Sequence, residues 1–183
     1  MSDYRRWFVA GGTYFFTVVT YARRPILTTD AGRKILRKAI VSVQKKTPFN
    51  LVATVLLSDH WHLIMALPSG DSKYSSRMKQ IKESFTTDWL AAGLPEATVT
   101  PSQKARGERG IWQPRFHEHT IHDEADLEHH VDYTHWNPLK HKLVTRVIDW
   151  PWSSFHRFVR LGQYNPNWGG TAPDRVDDDI WGE

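Results

Sequence analysis

The sequence predicts an α+β fold of ferredoxin-like type, an antiparallel sheet with helices packed on one face. Two observations predict it. The apolar pattern runs in the order strand, helix, strand, strand, helix, strand, helix. The two middle strands are joined by Ser58-Asp59, a turn that returns the chain beside itself. With 183 residues, 40% of them apolar, and no internal repeat, the chain suits a single domain over 1–170 and a tail over 171–183. A chain of this length buries about 70% of its unfolded surface and needs no staples.

Residues 7–20 open the sheet, rich in aromatic and β-branched side chains, with Gly11-Gly12 marking a bend or a close backbone approach. Thr29 or Asp30 caps the first helix. Its Ile35, Leu36, Ala39, Ile40 and Val43 form one apolar stripe, and Arg33, Lys34, Arg37, Lys38 and Lys45 occupy its other face. Pro48 ends that helix, the apolar run 51–57 has strand length, and 60–67 returns as its neighbour. After Pro68-Ser69-Gly70, a second helix over about 75–90 carries Met78, Ile81, Phe85 and Trp89 on one side. The pattern fades over 91–110, which reads as a mobile loop, and 111–121 is the last strand. Asp123 caps a third helix bearing Leu127, Val131 and Tyr133, with Asp126 in the capping-box position. Asn137-Pro138 marks its end, because a residue before proline disfavours the α region. A tryptophan-rich segment, 150–168, precedes the tail.

Composition narrows the chemistry. There is no cysteine, so a metal site must use His, Asn, Gln, Asp or Glu. The N-terminal stretch has neither the charged leader and cleavage site of a signal peptide nor the length of a membrane span, which points to the cytoplasm. The net charge of +4 is unevenly placed: residues 171–183 hold one base and five acids, leaving 23 bases and 15 acids in the body. A basic body points to a polyanionic partner, nucleic acid above all, or simply to a solvated surface.

Two motifs carry chemistry. In Asp59-His60-Trp61-His62, side chains two apart on a strand share a face, so both imidazoles project together and Trp61 turns into the opposite layer. Two imidazoles side by side can hold one divalent cation; in a chain with ten histidines the spacing alone can also be chance. In Tyr133-Thr134-His135-Trp136-Asn137-Pro138, Tyr133 and Asn137 share a helix face. The Asn oxygen suits a hard cation, and a tyrosine within reach of that cation can attack phosphorus. Taken alone, these read first as a core tyrosine and a helix-ending Asn-Pro. The pairs His117/His119 and His129/His130 compete as ligands but do not stand at the mouth of so clearly buried a strand.

Together the motifs change the reading. The stretches YRRWFVAGGTYFFTV, LLSDHWHLIMALP, SSRMKQIKESF, IWQPRFHEHTI, HHVDYTHWNPLKHKLV and DWPWSSFHRFV, in that order over about residues 4–160, resemble the REP-associated tyrosine transposases, single-tyrosine members of the HUH nuclease superfamily. The resemblance implies the HUH nuclease fold, with His60 and His62 as metal ligands, Tyr133 as nucleophile and Asn137 as third ligand. It also implies Mg²⁺ or Mn²⁺ as cofactor, and single-stranded DNA near repetitive extragenic palindrome hairpins as partner. Related transposases can be dimers, whereas this branch is expected to act as monomers. Lys142 departs from the family, which usually has glycine after Lys-His, and the loop 91–110 looks longer than usual.

On that reading Arg5, Arg6, Arg23, Arg24, Arg115 and Lys140 are candidates for phosphate contacts. Gly11, Gly12 and Thr13 would admit an unpaired strand close to the backbone, and Tyr14 or Trp112 would either stack on bases or belong to the core. The acidic tail is expected to be either a solvated terminus or a cover that competes with DNA for the basic face. Two rivals share these features: a non-catalytic single-stranded nucleic-acid-binding module, and a metal-dependent phosphoesterase acting through activated water.

Overall fold

In the computed structural model, which describes residues 8–169, four strands make one antiparallel sheet. They are β1 (Thr13–Val19), β2 (Asn50–Leu56), β3 (His60–Ala66) and β4 (His117–Thr120), in the order β2-β3-β1-β4. The helices are α1 (Asp30–Lys46), α2 (Tyr74–Ala91), α3 (Pro101–Ala105), α4 (Glu124–Lys140) and α5 (Phe155–Arg160). Thr29 is the N-cap of α1, its side chain accepting from the Gly32 amide. No helix among the described residues is long and apolar enough to cross a membrane.

The α+β class and the antiparallel sheet are as the sequence predicts, but the helices cover both faces rather than one. Tyr14, Phe16 and Val18 of β1 and Trp61, Leu63 and Met65 of β3 pack with Leu36, Ala39 and Val43 of α1 and Met78, Ile81, Phe85 and Trp89 of α2. The alternate positions Phe15 and Ile64 are equally buried, and with Ala53 they pack against Val131 and Tyr133 of α4. Central strands apolar on both sides need cover on both sides. A continuous apolar run hides this, because it lacks the polar alternation that would mark a wet face.

The remaining differences are local. The strand predicted over 7–20 begins at Thr13, with Gly11, at φ 71°, in the turn before it; residues 1–7 lie outside the described part. The strand predicted over 111–121 shrinks to β4, and Trp112 contributes only a single bridge to Thr20. Residues 91–110, expected as a mobile loop, contain α3 with a full capping box between Thr100 and Gln103. Arg24 ties that segment down by donating to the carbonyls of Gly110 and Pro95 at 3.1 and 2.8 Å. The chain after α4 lays residues 152–154 along the open edge of β2, where Ser154 exchanges bonds with Thr54, which protects that edge. The acidic tail lies outside the described residues.

Helix α4 does not stop at Asn137-Pro138; it continues to Lys140. Pro138 is buried and sits in the last turn, so the helix forgoes one hydrogen bond there and keeps the packing. The helix then closes as a Schellman motif, the amides of Lys142 and Leu143 donating to the carbonyls of Leu139 and Pro138, both at 2.9 Å. That motif places Lys142 at φ 55°, a left-handed conformation that suits glycine, the residue the resembling family carries there. Replacing Lys142 with glycine should therefore stabilise the protein by up to about 1 kcal/mol, read as a rise in the urea midpoint. A fall would mean that the lysine side chain outweighs the backbone strain.

Candidate active site

β3 positions the histidines. His60 and His62 leave the strand on the α4 side, their ring centroids 4.9 Å apart, with His60 2% and His62 0% exposed. Each is oriented through Nδ1. His60 Nδ1 lies 2.7 Å from Asp59 Oδ1, and His62 Nδ1 lies 3.0 Å from Thr17 Oγ1, the residue opposite it on β1. Burial works against the Asp59 carboxylate, but the bond from His60 and the Arg23 guanidinium at 3.2 Å outweigh it and hold its pKa down to about 2. An ionised carboxylate only accepts, so His60 Nδ1 donates to it. With both Nδ1 atoms engaged, the Nε2 atoms are the ones that can hold a cation.

α4 brings the tyrosine. Its ring meets His62 edge-on with centroids 5.4 Å apart, and Phe15 at 5.8 Å on the sheet. Asn137 follows one turn later on the same helix, and both side chains are fully buried. The structure thus brings Tyr133 against the His60/His62 pair, with Asn137 on the adjoining turn. Lys140 Nζ donates to Tyr133 Oη at 3.2 Å and stands 5.2 Å from its ring centroid. The sequence placed Lys140 among phosphate contacts; the structure sets it beside the candidate nucleophile. His141, whose ring is 5.0 Å from that of His60, was missed altogether. Its spacing of four from Asn137 was the available signal, hidden by ending the helix at proline.

The candidate DNA contacts fare unevenly. Tyr14 is a core residue, not a stacking platform: it is fully buried, packs against Tyr74 and Phe16, and exchanges bonds with the Val9 backbone. Strand alternation sends it into the α1/α2 layer. Trp112 is likewise core, 7% exposed with its ring 4.9 Å from Phe85. Gly12 is explained by its own chain, since a Cβ there would meet Tyr14 Oη and the Val9 carbonyl at 2.9 Å. Gly11 is exposed and Thr13 half-buried at the start of β1. Arg23 is exposed but paired with Asp59, Arg24 is committed to backbone carbonyls, and Arg115 is exposed. Arg5 and Arg6 lie outside the described residues.

The chain is similar to known proteins along most of its length. Residues 9–137 match the family model described as transposase IS200 like. A REP-associated tyrosine transposase of Escherichia coli (strain K12) is 44% identical over 174 residues, 95% of this chain and 94% of that protein. A Haemophilus influenzae protein provisionally given the same name is 41% identical over 182 residues, 98% of this chain and 100% of that one. A solved structure of a REP-associated tyrosine transposase bound to a REP hairpin is similar with a TM-score of 0.78 at 42% identity, covering 96% of each chain.

Proposed function

Because the chain belongs to the IS200-like transposases, in their REP-associated tyrosine branch, we propose that it is a cytoplasmic, metal-dependent nuclease and strand transferase of single-stranded DNA. It acts at REP-type hairpins through a 5′-phosphotyrosine on Tyr133. The observation that carries this reading is the meeting of Tyr133 with His62, at 5.4 Å between rings, beside a second, carboxylate-oriented histidine. The hairpin is inferred from the solved relative that binds one.

The donor set fits a divalent cation such as Mg²⁺ or Mn²⁺: the Nε2 atoms of His60 and His62 with the Asn137 oxygen, their rings steered by Asp59 and Thr17. Bound there, the cation supplies charge neutralisation and polarisation of the scissile phosphate. The chain's own groups do the remainder. Tyr133 Oη attacks phosphorus, a Tyr–O–P bond forms, and the bond to the 3′-oxygen breaks. The phenol gives up a proton to solvent and the leaving 3′-oxygen takes one up. The ammonium of Lys140, at 3.2 Å, stabilises the negative charge left on Oη as the phenol gives up its proton. One phosphoester replaces another, so a second 3′-hydroxyl can reverse the step and join strands without ATP. Tyr133 and both histidines come from one chain, so a monomer can assemble the site. Their burial means that the site has to open before a phosphate reaches them.

The reading is tested with 5′- and 3′-labelled hairpin oligonucleotides, Mn²⁺ or EDTA, and denaturing gels. A metal-dependent covalent adduct on the downstream fragment, absent in Tyr133→Phe, is the expected result; cleavage without an adduct would favour activated water, and tight binding with neither product a binding module. Thr17→Val should raise the Mn²⁺ concentration needed for half-maximal adduct formation by about 10–100-fold; an unchanged requirement would detach Thr17 from the metal ligands. Lys140→Met should slow adduct formation by about 10²-fold, with hairpin affinity in EDTA little changed and Lys140→Arg retaining much of the rate. A matching loss of affinity would make Lys140 a phosphate contact instead.

A further inference from the structure

A second cluster of ligating side chains lies where β4 turns into α4. His119 leaves the strand, His122 stands in the turn, and Asp126 is in the first turn of the helix. One ligating atom from each lies within 4.8 Å of the others. His119 Nε2 is 2.9 and 3.1 Å from the two Asp126 oxygens. Donors bound at about 2.0–2.1 Å around a tetrahedral ion stand about 3.3 Å apart, so this pair already has the spacing of two ligands sharing one. Asp126 is held in place: its carboxylate accepts from the His122 amide at 2.9 Å, and its own amide donates to the Asp123 side chain.

A carboxylate shared by His119, the His122 amide and His130 Nδ1, the last at 2.9 Å, accounts for His119 and Asp126. It does not account for His122. That imidazole is exposed, turned edge-on to His119 at 5.5 Å and 88°, and its ring nitrogens make no hydrogen bond among the described residues. Exposed in the turn, it is placed where a third ligand would be. From these three residues we propose a second metal site, separate from the His60/His62 pair, for a borderline transition cation of the Zn²⁺ type. Two imidazoles and one carboxylate suit such an ion. The ion takes the place of the hydrogen shared between His119 and Asp126, His119 binding through Nε2 with its own proton on Nδ1.

The two sites are neighbours but not one. Phe15 lies against both groups, its ring centroid 5.5 Å from His62 and 5.1 Å from His130, the residue stacked on His119 at 4.4 Å. An ion at His119, His122 and Asp126 ties β4 to the first turn of α4, the helix that carries Tyr133 seven residues further on. It acts as a staple for the tyrosine helix and takes no part in the reaction. The proposal does not rest on the nicking reading.

The test is metal binding to protein lacking the other site. The His60→Ala/His62→Ala protein is titrated with Co²⁺, following visible absorption, and Zn²⁺ retention is measured by equilibrium dialysis. The expected result is one equivalent bound, with affinity lowered at least about tenfold by the further change His122→Ala. No retained equivalent, or binding indifferent to His122→Ala, overturns the proposal. Should the double variant not fold, the wild-type chain serves: two equivalents should fall to one in His122→Ala, and an unchanged count contradicts the site.

Discussion

The site depends on the two-residue period of β3 in a sheet buried on both faces. Trp61 anchors it. The indole is 2% exposed in the α1/α2 layer and donates from Nε1 to Thr54 Oγ1 on the neighbouring strand at 2.6 Å. With Trp61 fixed inward, His60 and His62 have only the α4 face open to them. A slip of one residue would exchange the faces, leaving an indole against the tyrosine and imidazoles in the aromatic core. The same register sets Thr17 opposite His62, so one strand pairing fixes the direction of the ring and supplies the hydroxyl that holds it.

The second constraint is that polar groups on this face are buried and so must be held by partners or kept neutral. Asp59 solves this for His60 by staying ionised between a histidine and Arg23. Burial, reinforced by the charge of Arg157, pushes His135 down to about 3, and its Nε2 bonds to Ser154 Oγ at 2.8 Å. Burial likewise pushes His130 down to about 4, with the Asp126 carbonyl pulling the other way. Helix α4 therefore presents neutral imidazoles to the sheet at neutral pH while its far end carries the Lys140 ammonium beside Tyr133. Charge is concentrated where an anionic substrate would react.

Much of this was legible in the sequence because it follows from short-range periodicity. The i, i+2 histidines, the indole between them, and the one-turn spacing of Tyr133 and Asn137 needed only the geometry of a strand and a helix. What was not legible depended on the third dimension. Tyr14 and Trp112 look like stacking residues in a basic chain, and only packing assigns them to the core. Lys140 and His141 were separated from Tyr133 by the rule that proline ends a helix, a rule that fails when the proline is buried in the last turn. The capping box at Thr100 and Gln103 was present in the sequence, but five helical residues give too little period to stand out from a loop. The placement of α4 on the opposite face from α1 and α2 could not be seen from strands whose apolar residues are unbroken.

The proposed chemistry requires one cation between His60 and His62 beside Tyr133. Anomalous diffraction from crystals grown with Mn²⁺ tests it most directly, because it locates the ion without requiring turnover. An anomalous peak is expected within bonding distance of both Nε2 atoms, on the side of the sheet where α4 carries Tyr133. A well-ordered His60/His62 pair with no peak between them, in crystals that bind Mn²⁺ elsewhere on the chain, would contradict it.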